Sequence, residues 1–185
     1  KIKEIYSLKS NSFVYRNKTN FSKDKVGSPV YGEITQKGTN DLIKHFKDYF
    51  NSETVFYDLG SGLSKMVIHI GLQYKIKKSV GIEYSKERHK GAIYLKEKYA
   101  KDLKNIEIIC GDFIKQNIKD ATVVYVDNTM YKSDLNKKIF DKIPKGCLFL
   151  FKSGLRAFPK NECKCKKDLV ERTYKQNKIC WILKK

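Results

Sequence analysis

A chain of 185 residues, 41% hydrophobic and 12% aromatic, has the apolar material for one α/β domain with its own core, which excludes wholesale disorder. No run approaches the roughly 18 apolar residues of a membrane span. The formal net charge of +19 favours polyanionic partners such as DNA, RNA or a nucleosome. That charge is weighted to the ends, with seven basic and two acidic side chains in residues 1–25 and eleven basic and three acidic in residues 151–185. Five cysteines, an odd number without ligand spacing, read as neither a disulfide framework nor a zinc site, and point to a reducing, intracellular compartment.

In chain order, residues 1–30 are polar and basic and read as an arm packed onto the domain that occupies 31–185. A helix is predicted from about Thr39 to Phe50, capped by Thr39 or Asn40, with Leu42, Ile43, Phe46, Tyr49 and Phe50 on one face. Strand and helix then alternate. Strands are predicted at about 54–59, 79–83, 106–110, 121–127 and 147–151, and helices at about 64–75, from a Ser85 cap to Ala100, and from a Ser133 cap to Ile143. Segments 169–174 and 179–183 read as a two-stranded ribbon. The pattern implies a doubly wound, Rossmann-like, mainly parallel sheet with an antiparallel C-terminal ribbon.

The first strand ends in Asp58-Leu59-Gly60-Ser61-Gly62, a tight turn that lets a cofactor approach bare backbone. A dinucleotide fingerprint would carry a third glycine and would not set a carboxylate beside a pyrophosphate. A cofactor with an ammonium group tolerates Asp58, so S-adenosylmethionine is the expected ligand. Carboxylates collect at the other strand ends as well. Glu83 suits the two ribose hydroxyls, Asp112 the adenine amino group, and Phe113 the adenine face, while Gly60 and Gly62 clear the backbone for the methionine part.

Tyr31-Gly32-Glu33, Asp58-Leu59-Gly60-Ser61-Gly62, Gly81-Ile82-Glu83 and Gly111-Asp112-Phe113 together resemble the disruptor-of-telomeric-silencing histone-lysine methyltransferases, a non-SET family with the class I methyltransferase fold. The resemblance runs from about Pro29 to Phe151. It implies that Tyr31, Gly32, Glu33 and Ile34 cover the cofactor and that Phe56 to Lys65, including Ser61, hold its methionine part. It also implies a histone lysine on the nucleosome as substrate, and chromatin in the nucleus as the place of action.

This chain departs from the family in two places. Ser64 stands where the loop carries its third glycine, which predicts crowding on the methionine side. Asp127-Asn128-Thr129-Met130-Tyr131 replaces Asn-Asn-Phe-Ala-Phe, so Asp127 stands for an amide near the transferable methyl. Asp127, Asn128, Tyr131 and Trp181 are the candidate catalytic residues, with Tyr131 and Trp181 as walls of a lysine channel. An Asp127 that kept the proton on the substrate amine would slow transfer, so Asp127→Asn is expected to raise the rate. No Asn/Asp-Pro-Pro-Tyr follows the fourth strand, which argues against exocyclic-amine methylation of DNA. Two other readings remain: a methyltransferase of RNA or of another protein, and a non-catalytic cofactor-binding module that docks on chromatin or nucleic acid through its basic ends.

Overall fold

The computed structural model describes residues 1–8, 32–152, 158, 163–166 and 179–184. Its elements are α1 (Ile2–Ser7), α2 (Gln36–His45), β1 (Val55–Leu59), α3 (Lys65–Gln73), β2 (Lys78–Glu83), α4 (Lys86–Ala100), β3 (Ile106–Cys110), β4 (Val123–Val126), α5 (Ser133–Lys142), β5 (Leu148–Phe151), β6 (Lys164–Lys166) and β7 (Ile179–Leu183). The strands form a seven-stranded sheet in the order β3-β2-β1-β4-β5-β7-β6. β1 to β5 pair in parallel, and β7 runs antiparallel between β5 and β6. This is the doubly wound, mainly parallel sheet that the strand–helix alternation predicts.

Burial explains why the central strands lack polar alternation. Every residue of β1, β4 and β5 is buried, because helices cover both faces of a parallel sheet. Phe56, Val123, Tyr125 and Leu150 pack on one side with Leu42 and Ile43 of α2, Val67 and Ile70 of α3, and Leu95 of α4. Val55, Tyr57, Val124 and Phe149 pack on the other with Ile139 of α5. Ile5 of α1 is fully buried in the first cluster, and the Tyr6 hydroxyl lies 2.9 Å from Thr39 Oγ1 and 3.2 Å from His69 Nδ1.

Several local expectations need correction. α2 begins at Gln36, not Thr39. Thr35 Oγ1 accepts from the Gly38 N–H at 3.0 Å and is the cap, while Thr39 is buried against Tyr6. The helix ends at His45 and a 3-10 turn follows at Lys47–Tyr49, which turns Tyr49 out of the apolar face into solvent. Ser85 does cap α4, accepting from the Arg88 N–H, but α5 starts after Lys132 with no side-chain cap. Segment 169–174 lies outside the described residues. Cys180 is disulfide-bonded, where the odd, scattered cysteines read as no disulfide framework and as a sign of a reducing compartment. In the β6–β7 register the backbone of Cys165 stands opposite that of Cys180. Among the described residues no helix is long and apolar enough to cross a membrane.

Candidate active site

In this topology the connections leave β1 in one direction for β2 and β3, then jump to its other side for β4. The carboxyl ends of β1 and β4 therefore diverge and open a crevice. A pocket lies there, lined by Gly32, Glu33, Ile34, Asp58, Gly60, Ser61, Lys65, Met66, Tyr125 and Asp127. Eight of these ten residues are sequence-predicted. Met66 and Tyr125 are not, although Tyr125 is legible in retrospect from alternation along β4, which turns it to the same face as Val123.

The loop after β1 is left-handed at three residues, with φ of 87° at Gly60, 58° at Gly62 and 54° at Ser64. The Gly60 and Ser61 N–H groups both donate to the Ile82 carbonyl, at 2.8 and 3.1 Å, which ties the loop to β2. Gly60 is bare of necessity. A Cβ there would lie 3.0 Å from the Tyr131 hydroxyl as well as demanding a left-handed backbone from an L residue.

Ser64 takes the left-handed conformation that its glycine counterpart would take. Its hydroxyl bonds to Ser61 Oγ at 2.9 Å and packs toward β2, where a Cβ on Gly81 would meet Ser61 Oγ at 2.7 Å and Ser64 Oγ at 2.8 Å. Ser64 is buried and is not among the residues that line the pocket.

Lys65 opens α3 and belongs to the pocket wall. Its ammonium sits 2.9 Å from Glu33 Oε2 and donates to the Leu8 carbonyl at 2.6 Å, with the side chains of Lys65 and Glu33 only 4% and 14% exposed. One buried cation thus holds three segments together: the start of α3, the strip 32–34 and the end of α1. A lysine in the first turn opposes the helix dipole, and Glu33 offsets that disadvantage.

Glu83 is buried with both oxygens turned into the loop. Oε2 accepts from the Gly62 N–H and Oε1 from the Ser85 N–H, each at 2.8 Å, and Arg88 Nη1 stands 4.0 Å away. Burial raises its pKa, opposed by Arg88 and by the backbone donors. Glu83 does not line the open pocket, and the Tyr84 backbone N–H is a further donor to its carboxylate. Asp112 Oδ1 accepts from the Ile114 N–H at 2.9 Å, and the buried Phe113 ring lies 6.0 Å from that of Tyr131.

The four candidate catalytic residues do not stay together. Asp127 lines the pocket, its Oδ1 accepting from Thr129 Oγ1 at 2.6 Å and from the Thr129 N–H at 3.3 Å. Asn128 is buried and structural. Its amide donates to Asn136 Oδ1 at 2.6 Å and its oxygen accepts from the Lys152 N–H at 2.9 Å, pinning the end of β4 to α5 and to the end of β5. Tyr131 sits over Gly60, and its hydroxyl pKa is driven upward by burial and by the carboxylates of Glu83, Asp127 and Asp58. Trp181 packs edge-on against Phe46 and His45 in the cluster on the other side of the sheet from Tyr131. The two aromatic residues are therefore not walls of one channel. Tyr31 lies outside the described residues.

The residues present fit an aminoacyl nucleoside. The β1 turn cannot accept a Cβ, carboxylates and one ammonium surround the pocket, and an acidic residue with two N–H donors stands at the end of β2.

A family model described as histone methylation protein DOT1 matches residues 10–157. No curated protein matches the chain in sequence. Among solved structures, an RNA methyltransferase from Salinibacter ruber in complex with S-adenosyl-L-homocysteine aligns with a TM-score of 0.63 at 19% identity, covering 83% of this chain and 94% of its own. Sp1610 of Streptococcus pneumoniae aligns with a TM-score of 0.61 at 12% identity over 82% and 71% of the two chains. A precorrin 8w decarboxylase from Methanobacterium thermoautotrophicum gives 0.58 at 14% identity over 85% and 94%. At such identities these likenesses speak for the fold alone.

Proposed function

The chain belongs to the family of the histone methylation protein DOT1, and from that premise we propose that it transfers a methyl group to a lysine amine of a core histone in the nucleosome. It is a class I methyltransferase whose cofactor is S-adenosylmethionine. Bound, that cofactor supplies a methyl group activated by a sulfonium. The observation that carries the lysine reading is the clamp of Glu33 on Lys65. It lays the strip 32–34, the segment most specific to this family's pattern, over the turn at the end of β1.

The protein's own groups divide the work. Asp58, Gly60, Ser61 and Lys65 line the part of the pocket that would hold the aminoacyl end. Glu83 would hold the ribose, and Asp112 with Phe113 the adenine. Positioning supplies most of the acceleration in a displacement of this kind. A substrate lysine must arrive without its proton, and at a reference pKa of about 10.4 only on the order of 0.1% or less is neutral near pH 7. Apolar walls lower that pKa by desolvation, and the apolar part of this pocket is built from Ile34, Met66 and Tyr125.

The test is transfer of isotope-labelled methyl from S-adenosylmethionine to intact nucleosomes, free core histones and total RNA side by side. Label on histone lysine, strongest with nucleosomes, is the expected result, and on this reading the protein works on chromatin in the nucleus. Label on RNA alone would overturn the histone assignment in favour of an RNA substrate. Cofactor binding with no label on any of the three would favour a non-catalytic binding module.

A further inference from the structure

The first helix, α1, has six residues, short of the roughly 12–15 at which an isolated helix holds together in water. It keeps its shape only while it is seated on the domain. Ile5 is fully buried in one cluster with Leu42 and Ile43 of α2 and Val67 and Ile70 of α3, and the Tyr6 hydroxyl bonds to Thr39 Oγ1 and His69 Nδ1. Just past the helix the Leu8 backbone turns extended, with ψ of 99°, and its carbonyl accepts from the Lys65 ammonium, 57 positions away. An ammonium has three N–H donors, and among the described residues the acceptors of Lys65 are this carbonyl and Glu33. Lys65 stands in the first turn of α3, where the helix dipole disfavours a cation, so the two acceptors help to hold it there. Lys65 and Glu33 line the pocket, whereas Ile5 and Tyr6 do not.

We propose that Ile5 and Tyr6 are positioning residues for the cofactor site, acting through Leu8 and Lys65. Seating of α1 fixes the Leu8 carbonyl, the carbonyl fixes the Lys65 ammonium, and the ammonium fixes Glu33 and with it the strip 32–34. The proposal rests on the reading of this pocket as the site of S-adenosylmethionine. A wall that is already in place costs nothing to order when the ligand arrives, so affinity is higher with α1 seated than with α1 released. Linkage makes the effect reciprocal, and bound cofactor must hold α1 more firmly by the same factor.

The experiment is a double-mutant cycle on the full chain, in which calorimetry reads S-adenosylmethionine affinity for wild type, Ile5→Asp, Lys65→Met and the two together. Ile5→Asp, which unseats α1, is expected to weaken binding about tenfold in the wild-type background. In the Lys65→Met background the link is already cut, and the same change is expected to cost less than about twofold. An equal loss in both backgrounds would overturn the proposal, because a general loosening of the fold adds to the Lys65 change and does not act through it. Unchanged affinity in Ile5→Asp would overturn it too. Tyr6→Phe keeps the ring, removes both hydrogen bonds and goes through the same cycle should Ile5→Asp fail to fold. Hydrogen exchange at the Ile5 and Leu8 amides, which bond to the Lys1 and Glu4 carbonyls, reads the reciprocal effect. Bound cofactor is expected to slow that exchange about tenfold in wild type and to leave it unchanged in Lys65→Met, and no slowing in wild type would contradict the coupling. Failure of the wild type to bind would instead overturn the cofactor assignment, and full affinity in Lys65→Met would overturn the placing of the cofactor in this pocket.

Discussion

Lys65 and Glu33 meet at 2.9 Å with little solvent around them, so removing Glu33 leaves the Lys65 ammonium buried against the Leu8 carbonyl without its counter-charge. Breaking such a pair costs about 3 kcal/mol, whereas replacing both partners together costs much less. Glu33→Gln is therefore expected to lower the Tm and to weaken cofactor binding, and Glu33→Gln with Lys65→Met to recover most of the stability but not the binding. A double-mutant cycle read by denaturant melts checks this, and additive losses would contradict the clamp. His69 is a second residue whose charge state matters. Burial pushes its pKa below the ordinary 6.5, so the folded state holds it neutral between the Tyr6 hydroxyl and Gln73. The unfolded chain takes up the proton first as pH falls. His69 therefore supports stability fully above about pH 6.5, and that support declines below it until the folded-state group also protonates. Melting curves from pH 7.5 to 5 should show a steeper fall for wild type than for His69→Gln, and equal slopes would refute the assignment.

At the scale of elements, the turn between β1 and α3 works because β2 leaves room for it. The Ser61 and Ser64 hydroxyls bond to each other directly over Gly81. Gly81→Ala would drive a methyl group to 2.7 Å from Ser61 Oγ, which forces the loop outward and costs about 1–3 kcal/mol. Because Gly60 and Ser61 hang from the Ile82 carbonyl on the same strand, cofactor affinity should fall together with stability. Gly81→Ala combined with Ser61→Gly should recover part of both, and calorimetry beside thermal melts reads the two effects. The same elements show why some boundaries were illegible. The sequence pattern puts the α2 cap at Thr39 or Asn40, whereas Thr35 is the cap and Thr39 is buried against Tyr6, 33 residues away. Asn128 shows the same limit, since a polar residue after a strand reads as catalytic until its amide is seen bound to Asn136 and to the Lys152 N–H.

Over the whole molecule the net charge of +19 has a direct consequence for association. Affinity for nucleosomes or free DNA should fall by orders of magnitude between about 50 and 200 mM salt, because each neutralised phosphate releases counterions. Electrophoretic mobility shifts across that range check it, and a flat salt dependence would remove the polyanion from the list of partners. By itself the sequence determined the strand–helix alternation, the fold class, the tight turn after β1 and the four acidic strand ends. Each of these is written in local periodicity or in residues a few positions apart, where backbone sterics and hydrophobic burial act directly. Only the tertiary structure decided which of those residues share a pocket. It joined Lys65 to Glu33 across 32 positions, set Trp181 and Tyr131 on opposite sides of the sheet, and turned the Ser64 hydroxyl away from the pocket. These outcomes depend on register and on which side of a strand each side chain takes, and those are settled by how distant segments pack together.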